Sequence, residues 1–375
     1  MDKSKLLIFA LALLPTGNIT AEEVDTLKIV DVEEVLIIAA PKENRKLREL
    51  PNAVTLLSQQ DMQAAQVNSI KNLTALVPNI FIPDYGSRLT SAVYIRGIGS
   101  RINTPSVGLY VDNIPYIDKS AFDFNYSDIE RIDVLRGPQG TLYGRNAMGG
   151  LIKVHTKSPF SYQGTDFRIG AGTHNQYNTS VTHYHRMNER FAFSAGGFYE
   201  YEGGFFRNAA LNNKKVDKGQ SAGGRIRAIY LPSDNWKFDF NVSYEYGDQG
   251  GYPYGLYNKE TGDVAKTAYN DESSYYRNLL NTGLNVEYQA QNFTLSAVTG
   301  YQHLKDRMFL DQDFTAKNTY TLEQKQRINT ISEEIVMKSK ESHRWQWATG
   351  IFGFYQWLNT TAPVTFKEDG MAMMD

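Results

Sequence analysis

Five of the carboxylates between positions 112 and 133 are the side chains in this sequence with the clearest capacity for acid–base chemistry. General acid–base catalysis needs groups whose spacing brings them to one reacting atom. No spacing among these five selects such a pair, so we predict no catalytic residue. The five are Asp112, Asp123, Asp128, Glu130 and Asp133.

Two glycine patterns also bear on catalysis. Gly97 and Gly99 begin a dinucleotide-binding G-x-G-x-x-G loop, but Ile102 stands where the third glycine belongs. Neither the phosphate-binding string G-x-x-x-x-G-K-(S/T) nor the nucleophile string G-x-S-x-G occurs in the chain. We therefore predict that the protein is not an enzyme and binds no cofactor.

One pair of histidines is the only motif that suggests a metal ion. His183 and His185 lie two residues apart, so on a strand they share one face and a metal ion could bind between them. Such a pair is more often part of a solvated strand face, and we predict no metal site. The chain has no cysteine, which excludes disulfides, thiolate metal sites and cysteine nucleophiles. Its 39 basic and 41 acidic side chains nearly balance, so nothing favours a nucleic-acid partner.

The chain begins with a pattern that is typical of export. Lys3 and Lys5 precede an apolar run from Leu6 to Leu14, and Pro15 follows it. A charged start and a short apolar run are the features of a secretory signal peptide, which we place at residues 1–21. No stretch of about 18 apolar residues exists, so helical membrane spans are excluded.

Residues 22–48 form a charged tail that contains two segments in which acidic residues accompany a β-branched run. A segment of this kind can add as a strand to the sheet edge of another protein. Asp25–Val30 is one candidate, and a later segment is favoured because it lies nearer to the next domain. The later segment consists of Glu33, Glu34, Val35, Leu36, Ile37, Ile38 and Ala39.

Residues 49–159 alternate short strand and helix patterns, which predicts an α+β domain with a small mixed sheet. Within it, the stretch Ile129–Val154 reads IERIDVLRGPQGTLYGRNAMGGLIKV. Two strand patterns flank a run of closely spaced glycines, and such glycines indicate tight turns and close backbone contacts.

The full string resembles the plug signature of the TonB-dependent outer-membrane receptors. Two further strings resemble motifs of the same family and occur in the family's order. They are IRGIG at Ile95–Gly99 and GLYVDNIP at Gly108–Pro115. On this resemblance, which spans about residues 33–157, the chain is identified as a member of that family.

The resemblance implies a plug domain that closes a barrel, and it assigns roles to several residues. The segment Glu33–Ala39 looks like the TonB box, and Arg96 and Arg136 would pair with glutamates on the barrel wall. The loops between the plug strands would face the ligand. Their candidate residues are Tyr85, Arg88, Arg101, Asn103 and Tyr116.

Residues 160–375 show period-two alternation of aromatic and polar residues. Phe238 and Phe240 lie on one face of a predicted strand, and Asp239 and Asn241 lie on the other. Segments of about ten residues suit tilted transmembrane strands. A soluble sandwich gives the same pattern strand by strand, but after a plug motif we predict antiparallel transmembrane β-barrel strands. We expect roughly nine or ten strands, an incomplete barrel beside the about 22 strands of the family, and hence the amino-terminal portion of a longer receptor.

The function implied by the resemblance is active uptake of an iron–siderophore complex across the outer membrane of a Gram-negative bacterium. The implied partners are TonB with its inner-membrane energising complex, the extracellular ligand and outer-membrane lipid. Three alternatives stay open. They are a receptor of the same family for cobalamin, haem or a glycan, a passive or structural outer-membrane barrel, and a soluble secreted β enzyme.

Overall fold

The computed structural model describes residues 53–67, 69–86, 92–100, 104–125, 128–340 and 344–372. The predicted signal peptide, the tail and the predicted TonB box at Glu33–Ala39 lie outside the described residues. The described chain forms a small α+β unit, which we call the plug, and a long antiparallel sheet, which we call the wall. Among the described residues, no helix is both long and apolar enough to cross a membrane.

The plug begins with a strand and a short helix that the sequence predicts well. Strand β1 (Ala53–Ser58) leads into helix α1 (Gln59–Ala64). Ser58 caps the helix: its Oγ accepts a hydrogen bond from the Asp61 N–H, and the Asp61 carboxylate accepts one from the Ser58 N–H. This reciprocal pair is a capping box, which satisfies two backbone donors that the helix itself leaves open.

The predicted second helix, at residues 69–77, is split in two. A 3-10 turn (Ile70–Asn72) runs directly into α2 (Leu73–Leu76). The three positions that the helical spacing marks as apolar, Ile70, Leu73 and Val77, are all buried in the plug core, which confirms the spacing argument.

The main plug sheet is mixed and has the strand order β1-β7-β8-β5-β6. Strands β5 and β8 run parallel, while the other neighbours are antiparallel. Three two-residue strands form a second small sheet. The plug strands after β1 are β2 (Ile80–Phe81), β3 (Tyr94–Ile95), β4 (Ile98–Gly99), β5 (Val107–Val111), β6 (Ile114–Tyr116), β7 (Ile129–Arg136) and β8 (Gly150–Thr156).

The glycine-rich stretch supplies β7, a one-turn helix α3 (Gly140–Tyr143) and β8. At Gly150 the backbone has φ +156°, and an added Cβ would lie 2.4 Å from the Leu135 carbonyl oxygen of β7. Any larger residue would therefore force β8 away from β7. The glycines of this stretch allow close packing inside the plug.

The wall contains nine strands in sequence-neighbour order, all antiparallel, and the last short strand β20 pairs with β18. The expectation of nine or ten strands is confirmed for the described residues. Strands β12 (Arg207–Asn208) and β13 (Lys214–Lys215) form a separate hairpin. The wall strands are β9 (Gly164–Gly172), β10 (Gln176–Arg186), β11 (Phe191–Glu202), β14 (Gly219–Ser233), β15 (Trp236–Gly250), β16 (Ser274–Gln289), β17 (Phe293–Asp311), β18 (Tyr320–Ser339), β19 (Ala348–Thr361) and β20 (Val364–Phe366), and a last turn α4 (Glu368–Met371) follows.

The two faces of the wall have opposite polarity, and the polar face is the buried one. On β15, Phe240 and Tyr244 are 45% and 46% exposed, whereas Asp239 and Glu245 on the other face are 3% and 5% exposed. A soluble sheet buries its apolar face instead. Aromatic residues on the outside and polar residues on the inside are typical of a transmembrane β-barrel strand. The described sheet is open, because β9 and β19 lie at its two edges.

Replacement of Gly150 tests the packing of the glycine-rich stretch. We expect Gly150→Ala to destabilise the plug by at least about 2 kcal/mol, because the new Cβ meets a backbone oxygen and the backbone cannot yield without strain. Gly140→Ala is the matched control, since nothing lies within 4 Å of an added Cβ there. The measurement is the thermal unfolding midpoint; equal midpoints for the two variants would contradict the packing argument.

Candidate functional site: the plug–wall interface

An apolar contact places the hairpin of β5 and β6 against the wall. Ile114 at the start of β6 lies over Gly283 of β16 and Gly300 of β17. A Cβ at Gly283 would be only 1.8 Å from Ile114 Cδ1, so the glycine provides the space that the isoleucine fills. Three wall side chains that face inward also pack into the plug core. They are Leu279, Leu304 and Ile328.

Arg277 on β16 is the most deeply buried charge in this interface, with 0% of its surface exposed. Its Nη1 donates to the Ser120 carbonyl oxygen at 2.7 Å, and its Nη2 donates to the Asp123 carbonyl oxygen at 2.6 Å. The same Nη2 also donates to Glu245 on the neighbouring strand β15 at 2.6 Å. One wall guanidinium thus binds the plug backbone on both sides of a turn. Asp118 shapes that turn, because its side chain accepts from the Ser120 N–H.

Arg225 on β14 also holds the plug. We call Arg277, Arg225 and Arg227 the three anchors. Its Nη1 lies 2.8 Å and 3.0 Å from the two carboxylate oxygens of Asp128, just before plug strand β7. The ring of Phe124 lies 5.8 Å from the guanidinium carbon, which adds a cation–π contact.

Arg227, two residues further along β14, forms the third anchor. Its Nε and Nη2 form a bidentate ion pair with the two carboxylate oxygens of Asp239 on β15, at 2.9 Å and 2.7 Å. Its remaining nitrogen donates to the carbonyl and hydroxyl oxygens of Thr156 at the end of β8. Asp112 completes the cluster, since its carboxylate accepts from the Thr156 N–H and hydroxyl and lies 3.7 Å from Arg227. The planar guanidinium group carries several N–H donors in fixed directions, so one arginine can bind several acceptors at once.

Asn125 joins the plug to two further wall strands. Its backbone N–H donates to Glu245 at 2.9 Å, and its side-chain amide donates to Glu200 of β11 at 2.6 Å. Glu245 therefore serves both Asn125 and Arg277, which links the two contacts into one network. Together these interactions tie the plug to four adjacent wall strands, β11, β14, β15 and β16.

A separate charge cluster lies inside the plug sheet and does not touch the wall arginines. Asp133 on β7 is fully buried and pairs with Arg131 at 2.7 Å and with His155 of β8 at 2.9 Å. Burial alone would raise the pKa of Asp133. The His155 hydrogen bond and the positive charges of His155, Arg131 and Lys153 outweigh burial, so the pKa lies below its ordinary value.

The wall carries its longer connections, residues 203–218 and 251–273, at one end. At this end a cavity of about 690 Å³ lies between the plug and strands β11, β14 and β15. The plug segment at residues 84–86 forms part of its floor. The Tyr254 hydroxyl donates to the Tyr85 carbonyl oxygen, and Gln249 donates to the Gly86 carbonyl oxygen at 3.5 Å. Lys71 pairs with Asp84 at 3.0 Å beside it. A solute that enters from this end meets the plug here.

The structure corrects the predicted position of Tyr116. The sequence places it in a ligand-facing loop, but it is the last residue of β6 and only 5% exposed. Its ring packs on Phe124 at 5.6 Å, and burial raises its pKa to about 12. The wall covers it, and strand pattern alone does not reveal that cover.

The two arginines that are predicted to pair with barrel glutamates lie in different surroundings. Arg96 is exposed in a turn with φ 52°, and Arg136 is half-buried and donates to the Pro78 carbonyl oxygen at 3.1 Å. Within the described part of the chain, no wall carboxylate pairs with either of them. Their pairing with barrel glutamates stays a prediction.

Tyr85 lies between the cavity-lining residues Asp84 and Gly86, and its role in ligand contact stays a prediction. The predicted positions Arg88, Arg101 and Asn103 lie outside the described residues. In the segments that the structure describes, no cluster of three or more histidine or carboxylate side chains is suited to a metal ion.

Sequence reasoning missed the wall arginines and their plug partners. One signal was present, because the alternation of β15 already puts Asp239 and Glu245 on the face opposite the aromatic residues. Polar groups on a buried face need partners. The sequence does not predict which groups those partners are, because Arg277 and the Ser120 carbonyl are 157 residues apart in the chain.

Chemically, the interface is suited to hold a domain in place. Its polar contacts are charge-assisted hydrogen bonds, which are directional and lose their strength when water enters. A plug held in this way stays in register as long as water is excluded from these contacts.

Comparison with known proteins agrees with this architecture. The sequence model of the TonB-dependent Receptor Plug Domain matches residues 46–151. The vitamin B12 transporter BtuB of Vibrio vulnificus (strain CMCP6) is 30% identical over 278 residues, which are 68% of this chain and 42% of the transporter. The pesticin receptor of Yersinia pestis is 26% identical over 218 residues, 57% of this chain and 32% of that receptor.

Among solved structures, the ferric yersiniabactin uptake receptor FyuA from Yersinia pestis is similar with a TM-score of 0.74 and 20% sequence identity. The match covers 84% of this chain and 50% of that receptor. The chain therefore spans about half the length, or less, of the proteins that it matches. All three are named as transporters or receptors and none as an enzyme, which confirms the prediction that the chain is not an enzyme.

Replacement of Arg277 tests the deepest anchor. We expect Arg277→Met to cost about 3–5 kcal/mol of stability, because it leaves Glu245 buried without its guanidinium and two plug carbonyls without a donor. The matched control is Arg307→Met on β17. Arg307 pairs with Glu323 but is half exposed, so we expect a loss of about 0–1 kcal/mol. Thermal unfolding and protease cleavage within the plug measure the difference; equal losses would refute the anchor.

Acid titration tests the Asp133 cluster. Because the folded pKa of Asp133 is lower than its unfolded value of 3.8, the folded plug binds fewer protons in that range. Its contribution to stability is therefore complete above the unfolded pKa and is lost as the pH falls below about 3.8 through the folded pKa. We expect this component of acid destabilisation to be absent in Asp133→Asn. The measurement is the unfolding free energy against pH, and a parallel fall in both proteins would count against the cluster.

Proposed function

We infer the function from one premise: the chain belongs to the family of TonB-dependent receptors. We propose that it acts in the outer membrane of a Gram-negative bacterium and takes up a large, scarce nutrient with energy delivered by TonB. The observation that carries this proposal is the plug itself, a folded domain seated against a barrel wall whose buried arginines bind its backbone.

The direction of transport follows from the two ends of the wall. Short connections at residues 187–190, 234–235 and 290–292 lie at one end, and longer ones at residues 203–218 and 251–273 lie at the other. Short turns on the periplasmic side and long extracellular loops are the usual arrangement. The ligand then enters at the cavity that Asp84 and Gly86 line, and the residues we expect to contact it are Tyr85, Arg88, Arg101 and Asn103.

The first candidate ligand is an iron–siderophore complex. The structural similarity to a ferric yersiniabactin uptake receptor over 84% of this chain supports it. The second candidate is cobalamin, and the observation that favours it is the 30% identity to a vitamin B12 transporter. Both ligands are too large for passive diffusion through a barrel whose lumen holds a plug.

Energy coupling depends on the segment Glu33–Ala39 as the TonB box. An extended segment with acidic and β-branched residues is suited to pair with a strand of TonB in the periplasm. Force on this segment reaches β1 first, which in the described part of the chain is an edge strand of the plug sheet and pairs with β7. Arg96 and Arg136 remain the residues that we propose to pair with glutamates of the barrel.

Uptake assays test the proposal and separate the ligands. Cells that lack their own receptors and produce this receptor in its full natural length are given ⁵⁵Fe-loaded siderophores or ⁵⁷Co-cyanocobalamin. We expect accumulation of one ligand, abolished by a protonophore and by deletion of residues 33–39, while surface binding persists. A control deletion of residues 25–30 tests the other candidate box. Uptake that survives both deletions and the protonophore would show a passive barrel instead.

A further inference from the structure

The histidine pair on β10 has surroundings that the function above does not use. His183 and His185 are both exposed, whereas Thr182 and Tyr184 between and beside them are buried toward the plug. The two imidazoles therefore point away from the plug, on the outer face of the wall. Their rings are nearly parallel, with centroids 6.0 Å apart and planes 16° apart.

Thr165 on the neighbouring strand β9 orients the first of the two rings. It lies directly across from His183 in the sheet register, and its Oγ1 is 2.8 Å from His183 Nδ1. When this hydroxyl accepts the Nδ1–H, the lone pair of His183 lies on Nε2, at the open end of the ring. An oxygen acceptor on the second ring nitrogen is the arrangement that fixes a histidine as a metal ligand.

The second ring is held by packing. His185 lies across from Phe193 of β11, and the two rings are 5.8 Å apart at an angle of 65°. Its edge remains exposed beside His183. Ala195 lies across from His183 on the same side, so the neighbour on β11 is a small side chain.

The location makes an aqueous ion available to the pair. His185 is one residue from the end of β10 at Arg186, and the connection to β11 spans only residues 187–190. This is the short-turn end of the wall, so the histidines lie near the boundary of the apolar band. Two imidazoles deep within hydrocarbon would lose their hydrogen bonds to water, which is unfavourable.

We propose that His183 and His185 form a two-histidine site for one divalent transition-metal ion, such as Zn²⁺, with Thr165 as the positioning residue. Neutral imidazole is a preferred ligand of zinc, copper and nickel. A tilt of the two rings toward each other brings both Nε2 atoms to about 2.0–2.1 Å from one ion, and water or another donor completes the coordination. This inference needs only the fold and does not depend on the transported ligand.

Zinc binding to the detergent-purified receptor in its full natural length tests the site, with ZnCl₂ as the probe and a chromophoric chelator as competitor. We expect one tight Zn²⁺ per chain. His183→Gln and His185→Gln should each weaken binding by at least about 100-fold, because either change destroys the chelate. Thr165→Val should weaken it by about tenfold, and Thr165→Ser should restore it.

The matched control is His174→Gln, an exposed histidine in the turn between β9 and β10. It should leave zinc affinity unchanged. The substituted side chains are all on the surface, and the temperature at which the barrel unfolds on an electrophoretic gel verifies that each variant is folded. The proposal is overturned if the wild-type protein binds no Zn²⁺, if the His183→Gln/His185→Gln double variant binds as the wild type does, or if His174→Gln has the same effect.

Discussion

A guanidinium group that is shut off from water must find acceptors in fixed directions, and this constraint decides how the plug and the wall fit together. Arg277 meets it at its two Nη nitrogens, with two backbone carbonyls of the plug and one carboxylate of the wall. Because carbonyl groups of a folded turn cannot move independently, the arginine fixes the plug in register along β16. Arg225 and Arg227 repeat the principle on β14, so the plug is held at three positions by directional contacts.

The inverted polarity of the wall makes these anchors possible. A strand with aromatic residues outside and polar residues inside can place arginine and carboxylate on the same inner face, as Arg227 and Asp239 show. The pairs Arg227–Asp239 and Arg277–Glu245 lie within the wall, and the remaining donors of both arginines reach into the plug. Small wall residues have the complementary role, because Gly283 opens the space that Ile114 fills. The charged contacts set the register between plug and wall, and the small wall residues allow the two to approach closely.

The plug also has contacts that involve no wall residue. The Asp133 cluster with Arg131 and His155 lies within strands β7 and β8. The apolar core, by contrast, is shared, because Leu279, Leu304 and Ile328 of the wall pack into it. The anchors are therefore one part of a wider interface, in which apolar burial and directional charge contacts act together.

The sequence by itself determined the local elements, the faces of the wall strands and the family. The Ser58 cap, the strand Val107–Val111 and the glycine-rich stretch follow from neighbouring residues, since capping, alternation and tight packing act over a few positions. Only the tertiary structure decided which charges meet and which residues are covered. Arg225 and Asp128 are 97 residues apart, and Tyr116 is buried in a core to which both plug and wall contribute. Such contacts depend on the register between the plug and the wall, which no local periodicity encodes.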